Sequence, residues 1–206
     1  MSEPKKAIVV ELGFGGLMHI PPMNVPHKLL KELANSFNLG KNKLDTSYGS
    51  IKVKPKTIGT ALGLNASVSF KDLSEDNKVI FRRFQGKTLK NLTDEIMNIG
   101  VDNDENRLIF KRIFILYIQM AFLLPTTINK VSPVHLAPIF QMDKITEGNW
   151  GSHVLDFIVK GISNYHLKKK KSNDGCLYAL MIIYFHLTKN TNKKAEAIPG
   201  PPWVSH

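Results

Sequence analysis

The chain has 206 residues, 43% of them hydrophobic, and carries a formal net charge of +11 at pH 7 from 28 lysines and arginines against 17 acidic residues. That length and hydrophobic share fit a single folded domain with a substantial core and exclude a disordered chain. The single cysteine, Cys176, excludes an intrachain disulfide and points to a reducing compartment. A pI near 9.7 points to polyanionic company, whether DNA, RNA or acidic protein surfaces, and suits a lysine-rich solvated surface equally well.

Residues 1–11 read as a basic lead-in with a β-prone piece, Ala7 to Val10. Glu11 interrupts the apolar run and no small-x-small cleavage site follows, so the start does not read as a signal peptide and an intracellular protein is expected. Pro21-Pro22 demands an extended segment, and Pro26 opens a helix to about Phe37, with Leu29, Leu30, Leu33 and Phe37 on one face. Lys43 to Thr46 and Ser50 to Val53 flank a turn at Tyr48-Gly49, the pattern of a small β-hairpin. Pro55 opens a short helix through Leu62, which Gly63 ends.

Ser74-Glu75-Asp76 resembles an N-cap with acidic first-turn residues, leading a helix towards Phe84. Thr88 caps the next, striped by Leu89, Leu92, Ile96 and Ile99. Asn103 to Leu124 is expected to be the longest and most buried helix, stopped by Pro125. Its apolar stretch, Ile113 to Leu124, contains Gln119 and falls short of the roughly 20 residues that cross a bilayer. Ser132-Pro133 opens a helix to about Phe140. Trp150, Val154, Phe157, Ile158 and Ile162 stripe another that runs out into Lys168 to Lys171. Asp174 is the expected cap of a last helix carrying Leu177, Leu180, Met181, Tyr184 and Phe185. The fold class is therefore mostly α: one multi-helix domain over 12–187 with a small β-hairpin in its N-terminal third. Phe14, Leu17, Trp150, Phe157 and Leu180 are core positions, and 188–206 is a disordered polar and proline-rich tail.

Motifs for chemistry fail on spacing. Ala7 to Gly16 imitates a strand entering a glycine-rich phosphate turn, but Met18 stands where the third glycine belongs and Pro21-Pro22 prevents the following helix. Gly13, Gly15 and Gly16 then serve a tight turn that tucks Phe14 and Leu17 inward. Gly86-Lys87-Thr88 has Phe81 where a phosphate loop needs glycine. Seven histidines and one cysteine form neither Cys-x-x-Cys nor His-x-x-x-His. His153 and Asp156 share a helix without a nucleophile elbow, and Ser152 points elsewhere. No catalytic, cofactor or metal site is expected.

Two basic features remain as a candidate polyanion or nuclear-import patch. Lys52, Lys54 and Lys56 would share one face of a strand opposite Ile51 and Val53. Lys168, Lys169, Lys170 and Lys171 form a run at a helix end, where interaction with the helix dipole and solubility are the plainer reading, as a solvated surface is for the hairpin lysines.

Gly13-Phe14-Gly15-Gly16-Leu17, Ile58 to Leu64, Leu124-Pro125-Thr126, Asn149-Trp150 and Gly175-Cys176-Leu177, in this order, resemble the plant mobile domain. The resemblance implies an all-helical, transposon-derived module of a plant. It implies action in the nucleus on chromatin-associated proteins or nucleic acid, and leaves room for this chain as a truncated copy of a longer protein. That family's "aminotransferase-like" label implies no activity here, since no pyridoxal site accompanies the lysines. The expected function is non-catalytic interaction. A DNA-binding accessory domain of a transposon protein is the alternative, and an enzyme of unrecognised type a further one.

Overall fold

Local capping chemistry sets several helix boundaries in the computed structural model, which describes residues 1–20, 25–65 and 77–189. The elements are α1 (Glu3–Glu11), α2 (His27–Asn35), β1 (Phe37–Asn38), β2 (Lys43–Thr46), β3 (Gly49–Lys52), α3 (Pro55–Leu62), α4 (Lys78–Phe84), α5 (Leu89–Asn98), α6 (Asp104–Ile118), α7 (Pro133–Leu136), α8 (Trp150–His166) and α9 (Leu177–Lys189). Thr88 Oγ1 accepts from the Asn91 N–H at 3.2 Å and opens α5. Asn103 and Asn149 cap α6 and α8 through their Oδ1 atoms, at 2.8 Å each. Gly63 closes α3 at φ 68°, a left-handed conformation that costs a glycine little. The fold is mostly α with a small antiparallel sheet in the N-terminal third, as the sequence indicates. Among the described residues no helix is long and apolar enough to cross a membrane.

The hairpin forms, with Leu44 opposite Ile51, but it turns at Ser47-Tyr48, one residue earlier than expected, because Gly49 pairs with Thr46 and opens β3. A third strand was not expected: Phe37 leaves α2 and pairs with Leu44. The start of the chain also departs from expectation. Residues 3–11 are a helix with Pro4 in its first turn, and Ile8 and Val9 are buried in the core. Burial of these two side chains outweighs the β preference of the Ala7–Val10 piece. Lys5 is buried as well, and its ammonium donates to the Ile96 and Met97 carbonyls, at 2.7 and 3.1 Å, at the end of α5.

α6 stops being an α-helix at Ile118 and continues as a π turn over Gln119–Leu123, so α8, with 17 residues against 15, is the longest α-helix. Trp150, at the start of α8, packs edge-to-face on Phe14 at 5.2 Å, and Phe14 in turn meets Phe114 at 6.1 Å. α8 packs on α3, and α9 on α2 and α3. Phe14, Trp150 and Leu180 are fully enclosed, while Leu17 and Phe157 are half-buried against the core. Pro21-Pro22, the Ser74–Asp76 cap and the tail from 190 onwards lie outside the described residues.

Candidate binding face

The lysine run does not form one patch. α8 ends at His166, and Lys168 takes a left-handed φ of 55°, which turns the chain. Lys168 and Lys169 remain exposed, Lys170 pairs with the carboxylate of Asp174, and Lys171 stands at the mouth of a cleft. Lys52, Lys54 and Lys56 are exposed but do not share a strand face. Only Lys52 is in β3, because Pro55 starts α3 immediately after Lys54, and Lys56 lies in that helix.

The cleft has a volume of about 790 Å³ and is bounded by α2, the π turn, the end of α8 and the loop into α9. Its apolar lining includes Ile20, Leu30, Phe122 and Tyr178, the last two in edge-to-face contact at 5.6 Å. The π turn buries Gln119, Met120 and Leu123 and leaves Ala121 and Phe122 to line the cleft. His27, Lys31 and Lys171 supply its cationic or protonatable groups, and no carboxylate lines it among the described residues. Asn173 lines it too, and its Oδ1 is buried without a hydrogen-bond partner.

The loop wall is firmly tied. Asp174 was expected to cap α9, but α9 begins three residues later and the buried Asp174 carboxylate serves the loop instead, accepting from Lys170 Nζ and from the Thr127 N–H at 3.3 Å. A Cβ on Gly161 would lie 2.1 Å from the Asp174 carbonyl oxygen, so only glycine lets α8 approach this closely. The Gly175 N–H donates to the Pro125 carbonyl at 2.9 Å, tying the loop to the end of the π turn.

Behind the cleft runs a buried polar chain that the sequence signals only by a lone polar residue in the most apolar helix. Gln119 Nε2 donates to the carbonyls of His135 at 2.8 Å and Ile115 at 3.2 Å, and Gln119 Oε1 lies 3.2 Å from His153 Nε2. His135 Nδ1 accepts from the Ser132 N–H at 3.1 Å. Burial, then the neighbouring His135, pushes His153 down to about 4, and burial lowers His135 as well. Both rings are therefore neutral at pH 7. Ser152 Oγ donates to Asp156 at 3.2 Å, while His153 faces Gln119, so serine, histidine and carboxylate do not converge. The Cys176 thiol is fully enclosed, and burial pushes it up to about 12. Among the described residues no group of three or more histidine, cysteine or acidic side chains could hold a metal ion.

No curated protein and no solved structure matches the chain. The resemblance to the plant mobile domain is overturned, because the family model that matches is a different one and nothing indicates a plant mobile domain. Its short shared pieces are helix-boundary chemistry open to any helical protein: the left-handed cap Gly63, the stop at Pro125, the N-cap Asn149 and the close-packed Gly175. The plant, transposon and nuclear context came from that resemblance and loses that support. The matching model covers residues 1–181 of the 206, and the chain belongs to that family, described as a domain of unknown function (DUF8566).

Proposed function

We propose that this protein is a non-catalytic binding module whose working surface is the cleft between α2, the π turn and the loop into α9, and that its partner is anionic. The observation that carries this reading is the pairing of an apolar cleft of about 790 Å³ with Lys31 and Lys171 at its edge and no lining carboxylate among the described residues. A cleft of that size falls in the range that proteins use for ligands. Its two lysines make no ion pair among the described residues, which leaves them available to an anion. The net charge of +11 adds long-range attraction for the same kind of partner. The non-catalytic part rests on the state of the reactive groups: a cysteine pushed up to about 12, and two neutral histidines held by Gln119 and Ser132.

The test is retention on immobilised polyglutamate in a salt gradient. The charge-reversed variant Lys31→Glu/Lys171→Glu should elute at clearly lower salt than Lys52→Glu/Lys56→Glu, although both change the net charge equally. Equal shifts for the two variants would remove the cleft from the account.

A further inference from the structure

We infer that the occupant of the cleft is an extended peptide segment with one apolar side chain flanked by acidic residues, an inference that rests on the cleft being the working surface. The floor sets the first requirement. Ile20, Leu30, Phe122 and Tyr178 offer hydrocarbon and aromatic surface, which an aliphatic or aromatic side chain covers and a phosphate or sugar does not. The edge sets the second. Lys31 stands on α2 and Lys171 on the loop into α9, so positive charge comes from two different walls. An anion on either side of the apolar anchor meets one of them. A single carboxylate at the end of a hydrocarbon tail meets only one.

A peptide carries acidic side chains on both sides of an apolar one along a single chain, which matches a floor of hydrocarbon between two walls that each hold a lysine. A nucleic-acid duplex laid across the lysines would satisfy their charge and leave the floor uncovered.

The experiment titrates the full chain with a fluorescently labelled, end-blocked peptide of sequence Asp-Glu-Asp-Phe-Asp-Glu. Comparison ligands are the same peptide with serine in place of phenylalanine, a polyglutamate of equal length and a duplex oligonucleotide. The phenylalanine peptide should bind roughly tenfold or more tightly than the serine peptide, the scale expected for burying one aromatic side chain. Ala121→Trp, which fills the cleft from an exposed position, should remove that advantage while thermal unfolding stays cooperative. Lys31→Gln/Lys171→Gln should weaken both peptides. Equal binding of phenylalanine peptide, serine peptide and polyglutamate would overturn the peptide inference and leave an anion-binding protein. Tighter binding of the duplex, unaffected by Ala121→Trp, would make the occupant a nucleic acid. Binding of none of these probes would overturn both the inference and the reading beneath it.

Discussion

Gly161 and Asp174 meet backbone to backbone: a single methyl group on Gly161 would lie 2.1 Å from the Asp174 carbonyl oxygen. This contact locks the loop that forms one wall of the cleft against α8. Because the opposing atom is backbone, a neighbouring side chain cannot swing aside to make room. Gly161→Ala should therefore destabilise the protein by about 1–3 kcal/mol in chemical denaturation, the usual cost of overpacking. It should also weaken any ligand held by Lys171. An alanine variant of unchanged stability would show that the loop is not tied here.

Lys5 and Lys6 are adjacent in sequence and should behave oppositely. Lys5 is buried and donates to two carbonyls at the end of α5, whereas Lys6 makes an exposed ion pair with Glu3. Lys5→Ala should cost roughly 1–3 kcal/mol, because it leaves helix-end carbonyls unsatisfied. Lys6→Ala should be near neutral, as exposed pairs contribute little. Urea denaturation of the two variants makes the comparison, and equal effects would contradict the buried role of Lys5.

Stability should fall as the solution is acidified from pH 6.5 towards 4. The folded state holds His153 near 4 against a usual 6.5, so within this window the unfolded chain binds the extra proton and gains from lower pH. The contribution is fully present above 6.5 and is lost progressively down to about 4, amounting to about 3 kcal/mol from this residue. His135, lowered in the same direction, steepens the slope. Melting temperatures measured across the window test this directly, and His153→Gln should flatten the dependence.

Cys176 should resist modification. With the thiol pushed up to about 12 by burial, only on the order of one molecule in ten thousand carries a thiolate at pH 8. A disulfide reagent should react with native protein no faster than the protein unfolds, and at full speed in denaturant. Rapid labelling of the folded chain would contradict this enclosure.

Much of the fold was legible because its boundaries are chemical and local. Thr88 and Asn103 cap the helices they precede, Gly63 closes α3, and the hairpin turns at Ser47-Tyr48, within one residue of the expected Tyr48-Gly49. What escaped depends on distant partners. The helicity of residues 3–11 rests on the burial of Ile8 and Val9, and β1 exists because Phe37 finds Leu44. The cleft was not legible at all: α2, the π turn, the end of α8 and the following loop are far apart in sequence, and each is ordinary alone. The tetralysine run looked like one feature, yet the left-handed turn at Lys168 and the buried Asp174 divide it into two exposed lysines, one ion-paired lysine and one at the cleft.

The central claim is that anions are recruited at the cleft and not over the basic surface at large. The direct measurement is a titration of the isotopically labelled protein with the acidic phenylalanine peptide, followed by amide chemical shifts. The account predicts saturable shifts confined to the cleft walls, at Lys31, Phe122, Asn173 and Tyr178, with little change at Lys52, Lys54 and Lys56. Shifts spread evenly over all exposed lysines, or centred on Lys52 to Lys56, would contradict it.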